Sequence, residues 1–443
     1  MPALAPALLL VAAAAAGPPT KLIIDTDIGG GGCKDVDDVG AVCLAHAAAD
    51  AGLVELLAIV VNTAPPLCPA VVSVLNHYYG RDDVPIGSYK GSDLAPTLPD
   101  GRPDTHPYVP YIVENFPSPV RNASQVPSSV DVYRSVLAAQ PQRSVTISSI
   151  GLMTNLRALL VSPPDRHSPL RGYELVAQKV RLLAVMGGTL PSSYEPNPFT
   201  SPGPECNFDG GRTDHDTGVA AAAFVYSHMP PEVQIIFAGG EVGHRCFSGG
   251  AMSDCQPVDN PCRAAYIKYE GGTHKNRHDA DPVTTLMAIA GPGAVSCSEC
   301  TGCDGVIDVS NETGGNRWIA GAPSNQSYLV LNGNKTKSAI DAGAAIDALL
   351  CKPRKVKTDD GANRRSALLF FDDSALQEHN LTRVLGKPTL LSSMLDPSCY
   401  VGWGYASVFP VDPGSAQGIT HRMIYSGNVS DPSRVPSRVS SLT

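Results

Sequence analysis

Lys21-Leu-Ile-Ile-Asp25-Thr26-Asp27-Ile28-Gly29-Gly30-Gly31-Gly32-Cys33-Lys34-Asp35-Val36-Asp37-Asp38 is the stretch that decides the fold. Its first five residues form a short apolar run closed by an acid, as expected of a parallel strand buried on both faces. The glycines then break the strand, because they favour backbone conformations other residues avoid. From Asp37 to Ala49 the chain is Ala-rich and reads as a helix. Five carboxylates crowd this strand-loop-helix junction: Asp25, Asp27, Asp35, Asp37 and Asp38. Like charges at such density repel, and a bound cation is their simplest compensation. All-oxygen donors suit Ca²⁺ or Mg²⁺ better than zinc. The plainer alternative is a solvated turn with an Asp cap.

Outward from that junction, apolar strand patterns alternate with helical ones. Strands are predicted at Val54–Val61, Val84–Gly87, Val145–Ile150, Val180–Met186 and Val233–Phe237. Helices are predicted at Pro69–Tyr79, Asp131–Ala139, Asn155–Leu160, Thr217–Tyr226, Pro261–Tyr269, Pro282–Ala290 and Ser338–Leu350. Such alternation implies an α/β fold, a mainly parallel central sheet with helices on both faces. Ligands of such sheets sit at the carboxyl ends of the strands, where this chain puts its acids.

The 443 residues carry a formal net charge of −9, and no Lys/Arg runs occur. Binding to a nucleic-acid phosphate backbone is therefore disfavoured. No apolar run of membrane-spanning length follows the first 20 residues. Residues 1–16, with an Ala-rich apolar core and small residues at Ala14–Ala16, read as a signal peptide, although no Lys or Arg precedes the core. Sequons at Asn122, Asn311, Asn325, Asn334, Asn380 and Asn428 point the same way, to a secreted or endomembrane (vacuolar) glycoprotein. The 12 cysteines permit disulfides in that compartment. Cys297-x-x-Cys300-x-x-Cys303 also raises zinc, but no fourth ligand stands nearby, so disulfides are favoured.

Several motifs in fixed order resemble one family. Asp25-Thr26-Asp27-Ile28-Gly29 followed by Asp37-Asp38 resembles the amino-terminal signature of the inosine/uridine-preferring nucleoside hydrolases. Val61-Asn62, Gly151-Leu-Met-Thr154-Asn155-Leu156, Met186-Gly-Gly188, Glu205-Cys-Asn207-Phe208, Glu241-Val-Gly243 and Asp281-Pro282 continue the series over residues 21–352. The resemblance implies Ca²⁺-dependent hydrolysis of a ribonucleoside to ribose and free base. It implies Asp27 as general base and metal ligand. Asp38, Asp281 and the Thr154 carbonyl would be further ligands. Asp37, Asn62, Glu205 and Asn207 would hydrogen-bond the ribose. The partner is then a small-molecule nucleoside, and a homo-oligomer is compatible with it.

Two features depart from the family pattern. Gly31–Lys34 reads as an insertion of about four residues in the acidic loop, which glycines can bulge outward. If the glycines do not bulge, the expected metal site fails and Asp35 becomes an adventitious ligand. Some family members also carry His just before the last metal-binding Asp, where this chain has Ala280. His278 is the candidate acid for the leaving base, and a shifted register would use Asp279 instead of Asp281. Two other functions stay open: a haloacid dehalogenase-like phosphatase, with Asp25 as nucleophile, and a non-catalytic ribose- or glycan-binding protein.

The domain plan is a hydrolase-like domain at 17–352, a polar linker at 353–366 and a β-rich extension at 367–443. Leu368-Leu-Phe-Phe-Asp-Asp373, Asn380-Leu-Thr-Arg383, Gly402–Val408 and His421–Tyr425 resemble the first blade of a five-bladed glycosyl-hydrolase-type propeller. A lone blade cannot close a propeller.

Overall fold

A computed structural model describes residues 17–30, 33–91, 94, 97, 103–191, 205–211, 215–322, 324–357, 363–364, 407–409 and 422–424. The leader and most of the propeller-like stretch lie outside the described residues. Two compact units divide the chain at Lys357/Thr358. In the second, Ser407–Phe409 and Arg422–Ile424 pair antiparallel.

The first unit is built on six parallel strands: β1 (Thr20–Thr26), β2 (Val54–Val61), β3 (Ile86–Ser88), β4 (Val145–Ile150), β5 (Val180–Met186) and β6 (Gln234–Ala238). They lie in the order β3-β2-β1-β4-β5-β6. Gln326–Leu331 then adds parallel to β6, and Cys297–Glu299 closes the edge antiparallel. The sheet is therefore mainly parallel, as expected. Its strand order reverses between β1 and β4, and in open α/β sheets that reversal opens a crevice at the carboxyl ends.

Strand β1 shows why its residues form a central strand. Leu22 and Ile24 enter the core on one face, and Ile23 enters the core on the other. All three are wholly buried, so replacing any one by Ala should cost about 2–5 kcal/mol. Helices Asp37–Asp50 and Ala280–Ala290 cover the first face. Helices Ser129–Ala139, Thr154–Val161 and His215–His228 cover the second. The Asp37 helix is buried on nearly every side, which its many alanines allow.

Helices Tyr108–Asn115 and Gly172–Lys179, the hairpin Gly305–Val309/Asn316–Ala320 and strand Gln326–Leu331 were not expected from sequence. The Gly172 helix buries only Leu175 and Val176 beyond its glycine, too little for a 3.6-residue pattern. Gln326–Leu331 sits among glycines and polar residues, and it is the neighbouring strands that bury it.

Disulfides join Cys43–Cys262, Cys255–Cys351 and Cys300–Cys303. Cys300 and Cys303 thus bond each other, and Cys297 is a buried thiol pointing at the Val295 carbonyl. Past helix Lys335–Leu350, the last among the described residues, the chain stays attached to the first unit. Arg354 bonds the Tyr78 carbonyl and lies 4.2 Å from the Tyr78 ring centre, while Lys355 N–H donates to Asp50 at 2.8 Å. No helix among the described residues is long and apolar enough to cross a membrane.

Candidate active site

Strand β1 ends at Thr26, and the Asp27 carbonyl accepts from Gly30 N–H to start a turn. Gly29 and Gly30 take φ of +86° and +144°, where a side chain would be strained. A Cβ on Gly29 would meet Val109 at 2.5 Å. The turn is pinned by Thr63 Oγ1, which donates to the Gly30 carbonyl, and by His106 N–H, which donates to the Gly29 carbonyl. Lys34 turns to an ion pair with Asp104.

These constraints separate two acids that lie only two residues apart. Asp25, still in the strand, is wholly buried and points into the second face. It accepts from Tyr133 Oη at 2.8 Å, Asn155 Nδ2 at 2.9 Å and Asn62 Nδ2 at 3.0 Å. Burial raises its pKa to about 7 despite those three donors. An acid so enclosed makes a poor nucleophile, which weighs against the phosphatase alternative. Asp27, past the strand end, lines a cavity of about 310 Å³.

That cavity also takes in Asp35, Asp37, Glu205, Asn207, Glu241, His244, His278 and Asp281. Asp37 and Asp281 sit in the first turns of the two helices covering the first face, where the helix dipoles favour negative charge. Carboxylate oxygens of Asp35, Asp37 and Asp281 lie within 4.8 Å of one another. Asp27 Oδ2 accepts from Cys33 N–H at 2.7 Å, and Asp38 Oδ1 accepts from Thr26 Oγ1. The tight set therefore differs from the expected Asp27, Asp38, Asp281 and Thr154. The long loop swings Asp35 inward, and Asp281 is common to both sets. Asp279 accepts from Ser248 Oγ at 2.6 Å and does not line the cavity, whereas Asp281 does.

Burial raises Asp27 to about 7, with the nearby Asp37 charge adding to it. Burial likewise lifts Asp35, Asp38 and Asp281 well above the carboxylate range, and their mutual repulsion reinforces it. Asp37 goes the other way: burial opposes ionisation, but His278 and Arg277 hold it down to about 2. His278 Nδ1 stands 3.5 Å from Asp37 Oδ2, and Arg277 donates to Asp35 at 3.3 Å. Two basic groups, Arg277 and His278, thus face four buried acids and the half-buried Asp35. Asp37 Oδ1 is buried without a hydrogen-bond partner. An all-oxygen donor set with surplus negative charge and an orphaned oxygen fits a divalent cation of the Ca²⁺ or Mg²⁺ type.

Asn62 and Thr154 stand behind the cavity lining rather than in it. Besides Asp25, Asn62 holds Leu152 N–H at 3.2 Å, and Thr154 Oγ1 donates to the Asn62 carbonyl at 2.7 Å. Asn62, expected to bind the sugar, here ties the ends of β1, β2 and β4 together, because its amide meets a buried carboxylate first. The β4 turn is tight: a Cβ on Gly151 would lie 2.6 Å from Asp27 N and 2.8 Å from Asp27 Oδ1.

Across the cavity, Glu205 caps the short helix Cys206–Asp209 by accepting from Asn207 N–H at 3.1 Å. Burial raises Glu205 to about 8, against the bonds from the Asn207 and Gly188 amides. Asn207 Nδ2 donates to the Met186 carbonyl at 3.2 Å. Two further lining residues had no site role assigned from sequence. Glu241 Oε1 accepts from Leu190 N–H at 2.9 Å, and its Oε2 is buried without a partner. The His244 ring packs edge-on against His278 at 4.7 Å, and burial lowers it to about 4. Their position just beyond the carboxyl end of β6 was the available signal.

No family model and no curated protein sequence matches the chain. Solved structures do. A plant nucleoside hydrolase, PpNRh1, is similar at 18% identity over 76% of this chain and 100% of that one, with a TM-score of 0.50. The type III effector protein XopQ, solved in complex with adenosine diphosphate ribose, is similar at 14% identity over 79% and 99%, with a TM-score of 0.54. An inosine-guanosine nucleoside hydrolase is similar at 19% identity over 75% and 98%, with a TM-score of 0.50. The fold of residues upstream of Lys357 is that of the nucleoside hydrolases.

Proposed function

We propose that this chain hydrolyses the N-glycosidic bond of ribonucleosides, giving ribose and free base, and that it depends on Ca²⁺. One observation carries the reading. Buried Asp27, Asp37 and Asp281 face Glu205 and Asn207 across one cavity at the sheet's switch point, on a fold shared with nucleoside hydrolases. The cation, when bound, neutralises the carboxylates and makes water a better nucleophile.

The chain's own residues do the rest. Asp27 takes the proton of the attacking water on one carboxylate oxygen, while Cys33 N–H holds the other. Asp37, Glu205 and Asn207 hydrogen-bond the ribose hydroxyls. A sugar lacking a hydroxyl leaves these buried groups unpaired and is rejected. As the C1′–N bond breaks, positive charge develops on the ribose, facing the carboxylates. The base departs past His244 and His278, and His278 supplies its proton. Asn62 positions the β4 turn against Asp27. Disulfides across the first unit support the secreted or endomembrane compartment inferred from the leader.

The test is ribose release from a panel of nucleosides, with and without chelator, beside phosphate release from monoesters. Chelator-sensitive ribose release is expected. A second reading rests on XopQ: saturable binding of a ribose-containing ligand without turnover. Binding of ADP-ribose with no ribose release from any nucleoside would favour it.

A further inference from the structure

The two walls of the cavity come from distant parts of the chain, and one covalent bond joins them. Cys33 in the acidic loop is bonded to Cys206, 173 residues later. Both cysteines line the cavity, whereas Cys43–Cys262, Cys255–Cys351 and Cys300–Cys303 do not. Each end of the bond is continuous with a site group. Cys33 N–H donates to Asp27 Oδ2, and Cys206 lies between Glu205 and Asn207, whose amide holds the Glu205 carboxylate. In sequence, four glycines, Gly29 to Gly32, precede Cys33.

We propose that Cys33–Cys206 is a positioning bond: it keeps Asp27 in register with Glu205 and Asn207, and the site works fully only while it is oxidised. This rests on the hydrolase reading above and adds its redox dependence. Reduction by a dithiol transfers two electrons and two protons. One thiolate attacks a sulfur to give a mixed disulfide, the second releases it, and Cys33 and Cys206 are left as thiols while the reductant leaves as its disulfide. No site donor is removed. What is lost is alignment, and a displacement of about 1 Å can cost about 10²-fold in rate.

The test compares full-length wild type with Cys33→Ser/Cys206→Ser, and uses Cys300→Ser/Cys303→Ser as control. Ribose release gives kcat and KM separately. Calorimetric Ca²⁺ titration gives metal affinity, and thermal unfolding and thiol alkylation report fold and redox state. The Cys33/Cys206 variant should unfold cooperatively, bind Ca²⁺ more weakly and show kcat/KM about 10–10²-fold lower. Dithiothreitol should bring wild type to that level, reversibly on reoxidation, and leave the variant where it was. The control pair should match wild type. If wild type with Cys33 and Cys206 shown to be alkylatable keeps its kcat/KM and Ca²⁺ affinity, the proposal is overturned. The same holds if the folded double variant equals wild type. Should the double variant not fold, reduced wild type decides alone. If oxidised wild type releases no ribose at all, the hydrolase reading fails, and the Ca²⁺ titrations still decide whether the bond orders the acidic loop.

Discussion

Two cavities of similar size lie at opposite ends of the central sheet. The one at the carboxyl ends encloses about 310 Å³ and the one at the amino ends about 270 Å³. The second is lined by Leu182, Ile236, Met287 and Ile289, with Arg181 and Glu299 among them. Volume does not distinguish them, but buried charge does. In a parallel α/β sheet the helix N-termini follow the strand carboxyl ends, so free N–H groups and positive dipole ends gather there. That end can keep Asp37 and Asp281 in helix first turns. The amino ends meet helix C-termini, which disfavour clustered acids. Acids buried at the carboxyl ends are thus tolerated by the fold and available for chemistry.

The largest expected effect tests this contrast directly. Asp27→Asn should keep the circular dichroism spectrum and lose about 10²–10⁴-fold in ribose release, the range of a general base. Leu182→Val, in the other cavity, should leave release unchanged. Equal losses from both would break the contrast. Next comes Gly151→Ala, whose methyl would displace Asp27 from behind. A loss of about 10–10²-fold in kcat, with folding intact, is expected. Unchanged turnover would mean that the β4 turn does not position the base.

The same contrast has a signature in stability. Asn62→Ala takes a donor from buried Asp25 and an acceptor from Leu152 N–H. A loss of about 1–3 kcal/mol in urea unfolding is expected. Asp25, Asp27 and Glu205 have raised folded pKa values, about 7, 7 and 8, so the unfolded chain releases their protons first. The stability they contribute is complete below about pH 4 and is lost as pH rises towards 8. Asp37, lowered to about 2, has the opposite sign but acts only below that window, while buried His244, lowered to about 4, offsets part of the fall at its acid end. In chelator, the melting temperature should therefore fall between pH 4 and pH 8, and Ca²⁺ should flatten the fall. Identical profiles with and without Ca²⁺ would show that no cation sits among these acids.

The smallest effect concerns the chain's last part. Ending the chain after Lys357 should preserve turnover per folded molecule, if residues beyond it supply no site group. Ending it after Lys352 should cost stability as well, because Arg354 and Lys355 bind Tyr78 and Asp50. An inactive but folded, metal-binding 1–357 chain would show that the tail completes the site. Arg354 and Lys355, which lie in the stretch read as a polar linker at 353–366, are held by these two contacts.

Much of this was legible in the sequence, because strands buried on both faces are written as unbroken apolar runs. β2, β4 and β5 fall at the expected residues, and the Asp37 helix starts where expected. Asp27, Asp37, Glu205, Asn207, His278 and Asp281 were all named from sequence and share one cavity. Glu241 was read only as part of a motif, and His244 not at all, since a lone His after a strand carries no periodic signal. Gln326–Leu331 escaped notice because its burial comes from neighbours, not from its own pattern.

The sequence alone determined the order of strands and helices, and so the end of the sheet at which the acids gather. That information is local: apolar periodicity, glycines and carboxylates within a few residues of each other. Only tertiary structure decided what each acid does. Asp25 and Asp27 look equivalent as Asp-x-Asp, yet β1 ends between them. Asp25 is enclosed by Tyr133, Asn155 and Asn62, from three separate elements, while Asp27 turns into the cavity. The inward turn of Asp35 and the pairing of Cys33 with Cys206 are likewise set by contacts over long sequence separations. No local pattern encodes such contacts, because their free energy exists only once the sheet has brought the loops together.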